Sequence, residues 1–145
     1  MKKLKEIIHK HFKELKVIRI KFKTLKVGVM EVKYIPFRND IYIDPIVKQF
    51  PKDVLEYLVI HELIHLKQLR KGGLYFVFMI ALVSVFHKGW LRKIERETEK
   101  QCIELGFGRG LLNYFIFRKE HPELFEGKKN NDNLYLTQEE VKQLI

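Results

Sequence analysis

His61 and His65 stand four residues apart inside a run whose apolar residues recur at helical spacing. Positions i and i+4 lie one above the other on a helix, so both imidazoles leave the same face. Such a face is no ordinary apolar stripe, and the fold has to bring a common partner to two ring nitrogens. Glu62 follows the first histidine, so residues 61–65 read His-Glu-x-x-His. Paired imidazoles at this spacing are metal ligands, and a carboxylate beside the first can take a proton from a water at the ion. The pattern nominates His61 and His65 as ligands, Glu62 as general base and Zn2+ as cofactor. Pro51 suits the first turn of the helix that carries them, and Asp53 suits its positive end. Gly72-Gly73 is expected to end that helix near Arg70.

The rest of the chain supplies a small α+β frame. Residues 3–16 have the i, i+3, i+4 apolar spacing of a helix, with Leu4, Ile7, Ile8, Phe12 and Leu15 on the packed face. Ile18, Ile20 and Phe22 alternate with basic residues as a half-buried strand does. A second strand is expected around 27–35, and a third at Ile41-Tyr42-Ile43 after the turn residues Arg38-Asn39-Asp40. Together they predict a small, mainly antiparallel sheet. The apolar run 74–86 has 13 residues, short of the roughly 20 that cross a bilayer, and is expected as a buried backing helix. Further helices are expected over Leu91–Leu105, closed by Gly106, and over 111–119. Gly106-Phe107-Gly108-Arg109-Gly110 follows a helix and lacks the spacing of a phosphate loop, so it reads as a helix stop and turn. Thr137-Gln138-Glu139-Glu140 is a capping box opening a short terminal helix. The expected organisation is one domain over 1–126, then a polar linker and short helix over 127–145 that could cover a cleft.

The chain has 145 residues and a net charge of +10, of which +8 lies in residues 1–26. That segment suits nucleic acid or an anionic membrane surface as a partner, but its apolar spacing already accounts for it as a core-packing helix. Cys102 is the single cysteine and falls on the apolar stripe of its helix. It is therefore expected to be buried, and the absence of an internal disulfide points to the reducing cytoplasm. No signal-peptide pattern opens the chain. The expected localisation is cytoplasmic, with peripheral membrane association as the variant that the basic segment suggests.

A catalytic zinc takes three protein ligands and leaves one position for water. His87, His121, Glu95, Glu97 and Glu99 can supply the third. At about 100° per residue, Leu91, Ile94, Thr98, Cys102 and Leu105 define the inward stripe of the 91–105 helix. Glu95 lies at the edge of that stripe, Glu97 lies opposite in solvent, and Glu99 lies one turn beyond Glu95. A core-facing carboxylate needs a partner, and a metal ion is one. This selects Glu95 as third ligand and places Glu99 where it can orient a ligand histidine. His87 sits in a connection, and His121 precedes Pro122 in a polar stretch.

The segment Glu95-Arg96-Glu97-Thr98-Glu99, followed by Leu105-Gly106-Phe107, resembles the E-x-x-x-D glutamate helix of gluzincin metallopeptidases. The likeness is to CAAX prenyl endopeptidases and heat-shock membrane peptidases. In that pattern the first Glu binds zinc and an acidic residue four positions on supports a ligand. Glu95 and Glu99 hold those two places, with Glu99 where the family usually has Asp. Ile41-Tyr42-Ile43-Asp44-Pro45 and the run from Pro51 to His61 are similar to the strand-then-helix entry of small gluzincin-like and WLM-type peptidases. The resemblance covers about residues 40–110, and the size is similar to that of the single-domain minigluzincins. It implies a zincin-like fold and hydrolysis of peptide or unfolded-protein substrates. It also implies a 41–43 strand at the cleft rim that pairs with an extended peptide. WLM-type relatives use a third histidine, which keeps His87 as the competing ligand. Tyr114, Arg118 and His121 are candidates for stabilising a tetrahedral oxyanion, and nothing in their spacing selects one. The expected activity is that of a zinc-dependent endopeptidase; the alternatives are a latent or non-catalytic zinc-binding protein, or a protease localised to nucleic acid or a membrane surface by its basic N-terminal segment.

Overall fold

The computed structural model describes residues 9–15, 18–35, 38–86, 88–128 and 132–145. The helix expected over 3–16 is described only from residue 9 and ends at His11, with a turn over 12–15, and Leu4, Ile7 and Ile8 lie outside the described residues. So do His87 and the apolar side chains of 74–86. Phe12 and Leu15, from the packed face of that expected helix, are buried.

Three strands form the sheet: β1 (Ile18–Phe22), β2 (Met30–Ile35) and β3 (Arg38–Ile43). β2 and β3 are an antiparallel hairpin in which Ile35 faces Arg38 and Met30 faces Ile43. β1 joins the other side of β3 in parallel, with Ile18 facing Asn39 and Phe22 facing Ile43. The order is β1-β3-β2, which corrects two expectations. The sheet is mixed and not mainly antiparallel, because the 23–29 connection carries the chain past the end of β3 before β2 begins. Lys23 N–H donates to Ile43 O (3.0 Å) and Asp44 N–H donates to Val29 O (2.9 Å) along that crossing. Alternation of side chains sets which face is buried but not which strands are neighbours. The 41–43 strand is also not an edge. As part of β3 it is paired on both sides, and the edge next to the helices falls to β2.

Asp44 fixes the crossing. Its carboxylate accepts from Leu25 N–H (2.8 Å), Ile46 N–H (3.1 Å) and Lys128 Nζ (2.7 Å). Lys128 also donates to Leu25 O (2.7 Å). One buried carboxylate thus caps the 3-10 turn Pro45–Gln49, holds the 23–29 connection and anchors residue 128. Gly28 turns this connection with φ +63°, a conformation that a side chain would strain.

The helix α1 (Lys52–Phe86) lies between the sheet and the other helices. Packing on both sides leaves Val54, Ile60, Leu63, Ile64 and Leu66 at most 2% exposed. α1 begins after Pro51, as expected, but does not end at Gly72-Gly73. Glycine inside a helix costs about 1 kcal/mol and does not forbid it. A straight α1 would carry Phe86 about 37 Å beyond His61, while the return from Lys88 to Glu95 recovers only about 10 Å. Glu95 nevertheless reaches His61 at 3.3 Å. α1 therefore bends beyond His65, in a stretch that holds the glycine pair.

The remaining helices are α2 (Lys88–Glu104), α3 (Gly108–Glu120) and α4 (Gln138–Leu144). Gly106, at φ +86°, ends α2. Its N–H donates to Ile103 O (2.8 Å), and Phe107 N–H donates to Cys102 O (2.9 Å), the two bonds of a Schellman stop. Gly110 serves a different purpose. A Cβ there would lie 2.8 Å from Tyr57 Cβ and closer still to Asp53 O, so glycine permits α3 to cross directly on α1. The capping box at Thr137 and Glu140 forms as expected. Leu136 before it and Val141 within α4 are both buried, so the tail packs into the same core as the helices. Among the described residues no helix is long and apolar enough to cross a membrane.

Candidate metal centre

α1 presents His61 and His65 on one face, and α2 brings Glu95 against them. His65 Nε2 lies 3.0 Å from His61 Nε2 and 3.2 Å from Glu95 Oε2, and His61 Nε2 lies 3.3 Å from the same oxygen. Three groups able to donate a lone pair are thus gathered into a triangle. Ligands about 2.0–2.1 Å from one ion at tetrahedral angles would stand about 3.3 Å apart. The donor set and its spacing fit zinc. Among the described residues, His61, His65 and Glu95 are a group able to hold a metal ion.

The electrostatics follow from crowding. Burial works against the Glu95 charge, but hydrogen bonds from His61 and His65 outweigh it and hold the carboxyl well below its ordinary range. Burial lowers His65, while the Glu95 hydrogen bond and charge, then Glu62, raise it to about 9. Glu62 is buried and its carboxyl is raised. Burial is the main cause there; the neighbouring histidines pull it down, and Glu95 pushes it further up. A carboxylate raised toward neutrality is suited to receive and return a proton.

The surrounding residues divide differently from the sequence expectation. Glu99 does not orient a histidine. It is buried, accepts from Leu136 N–H (2.6 Å) and Tyr57 OH (3.5 Å), and so ties the tail to α1. Burial, with the charge of Glu95, raises its carboxyl to about 8, against the pull of the Leu136 and Tyr57 hydrogen bonds. The residue that orients a ligand is Gln68. Its Oε1 lies 3.2 Å from His65 Nδ1 and its Nε2 donates to Thr98 Oγ1 (3.0 Å). The signal was present in sequence as the i+3 neighbour of His65, but only the α2 contact makes it legible. His61 Nδ1 is buried without a hydrogen-bond partner among the described residues. Glu97 is exposed, as expected.

Two cavities meet at His61 and Glu62. One of about 470 Å³ extends toward the start of α1, walled by Tyr57, Tyr114, Arg118 and Phe125. The other, of about 1010 Å³, extends along α1 past His65 and Gln68, with β2 and the 23–28 segment on its far wall. Tyr135 lines both, with its ring 6.3 Å from that of His61. Burial, then the charges of Glu95 and Glu62, raise its hydroxyl above the ordinary range. Tyr135 was not singled out in sequence; it precedes Leu136 and the capping box, and the burial of Leu136 and Val141 is what carries it into the cleft. Of the three oxyanion candidates, Tyr114 and Arg118 line the smaller cavity. His121 instead pairs with Glu123 (3.2 Å) and packs on Phe117, with ring centres 4.6 Å apart.

Comparison with protein-family models, with curated proteins and with solved structures finds no match to this chain.

Proposed function

We propose that the protein is a zinc-dependent endopeptidase of the gluzincin type, with a zincin-like fold. The observation that carries this reading is the convergence of His61 Nε2, His65 Nε2 and Glu95 Oε2 beside a buried Glu62. His61, His65 and Glu95 would hold the ion. When bound, zinc supplies Lewis acidity toward a water and toward the carbonyl of a peptide bond. Glu62 takes the proton that the attacking water loses and returns it to the leaving amine, so that hydrolysis passes through no acyl-enzyme. Gln68 holds the ring of His65. The free edge of β2 borders the larger cavity and suits an extended peptide added as a further strand.

Glu62→Gln tests the reading, because it keeps the shape and removes the base. The expected result is unchanged zinc content by mass spectrometry and a loss of at least about 100-fold in cleavage of an unfolded protein. Cleavage that survives in this variant would sink the assigned mechanism.

A further inference from the structure

The exposed rims of the two cavities that meet at Glu62 hold more basic than acidic side chains. Lys23, Lys26 and Lys33 line the larger one, and all three are exposed. Arg118 and Lys119 line the smaller one, together with Lys128, which Asp44 holds. Apart from Glu62, Glu95 and the buried Glu99, Glu31 is the one acidic side chain lining either cavity among the described residues. Glu31 and Lys33 lie 3.6 Å apart and offset each other, so neither adds to the rim charge, which rests on Lys23 and Lys26. The floor of the larger cavity is apolar, made by Leu25, Met30, Val32, Leu69, Leu91 and Ile94.

An apolar floor of low dielectric under a mainly basic rim focuses the potential into the groove. It matches a chain that sends apolar side chains downward and carboxylates to the edges. A bare polyanion would leave that floor unfilled. The aromatic rings of the smaller cavity are also turned to one another rather than offered for stacking on bases: Tyr114 lies 6.1 Å from Tyr57 and 6.3 Å from Phe125. We propose that the cleft selects acidic polypeptide segments, with Lys23 and Lys26 as specificity-determining residues. The proposal rests on the peptidase reading of the same site and names its substrate class.

Binding and cleavage test it separately. Labelled peptides of matched length, with Asp/Glu, Ser/Asn or Lys/Arg flanking a central apolar pair, are titrated onto the zinc-loaded Glu62→Gln protein by fluorescence anisotropy. The acidic peptide is expected to bind about fivefold tighter than the neutral one at low salt, with the gap closing as salt screens it. Lys23→Gln with Lys26→Gln narrows that gap, and Lys23→Glu with Lys26→Glu reverses the order. Equal affinities, or an order that neither salt nor these exposed-residue variants move, overturn the proposal. A single-stranded DNA oligonucleotide that competes as well as the acidic peptide also overturns it, in favour of a general polyanion groove. If the wild-type protein cleaves neutral and acidic peptides with equal kcat/KM, the proposal fails and the peptidase reading stands. If wild type and Glu62→Gln are equally inactive, the peptidase reading fails and the proposed substrate class falls with it.

Discussion

Gln68 stands three residues beyond His65 on α1 and bridges His65 Nδ1 to Thr98 Oγ1 on α2. Accepting the Nδ1 proton leaves the Nε2 lone pair directed at the centre, the tautomer a metal ligand needs. Gln68→Ala removes that acceptor while the ligands remain. Zinc affinity is expected to fall about 10–100-fold, read by competition with a chelating dye. Under the proposed metal reading, the same residues make uptake of the ion a proton exchange. In the ion-free protein His65 keeps its proton up to about 9, so an entering ion has to displace it. Apparent zinc affinity should therefore weaken as pH falls below about 9 and level off above it. Calorimetry in buffers of different ionisation enthalpy should register the released proton; affinity independent of pH across this range would contradict the assigned coupling.

Elements differ in how openly the sequence announced them. The start of α1 at Pro51, the stop at Gly106 and the capping box at Thr137 depend on neighbours within a few residues, and all three were legible. So was the register that set Glu95 at the edge of its helix stripe while Glu97 faced solvent. The central place of β3, the bend in α1 beyond His65 and the turn of Glu99 toward Leu136 depend on partners far along the chain. Neither periodicity nor propensity encodes those partners. Gly110 is the instructive case: within Gly106–Gly110 it looked like part of a turn, yet it sits in α3 where that helix crosses α1. Gly110→Ala is expected to force the two helices apart and to destabilise by about 1–3 kcal/mol. Thermal unfolding followed by circular dichroism would show it, and an unchanged midpoint would argue against the tight crossing.

For the whole molecule, the site and the core are the same structure. α1 carries His61, Glu62 and His65, the two proposed ligands and the proposed base, yet it is also the helix buried between the sheet and α2 and α3. The Asp44 cluster joins three distant parts of the chain in the same way. Burial raises the Asp44 carboxyl, but hydrogen bonds from Leu25, Lys128 and Ile46 outweigh this and leave it lowered. Because the native carboxyl titrates below the unfolded one, its stabilisation is complete above the unfolded carboxylate range. It is lost as pH falls through the lowered native value. Asp44→Ala, which strands Lys128 Nζ in a nearly closed site, is expected to cost about 3–5 kcal/mol at neutral pH. The loss should be smaller in acid, as chemical denaturation at two pH values would report.

The 23–29 connection forms neither helix nor strand apart from a single bridge at Val27, and segments of that kind often open and close over a cleft. Its Leu25 amide, however, is bonded to a carboxylate inside the core. In hydrogen exchange that amide should keep pace with the amides of β3, released only by the opening that unfolds the sheet. A wall so fastened keeps time with the fold, and a substrate would meet a groove already formed.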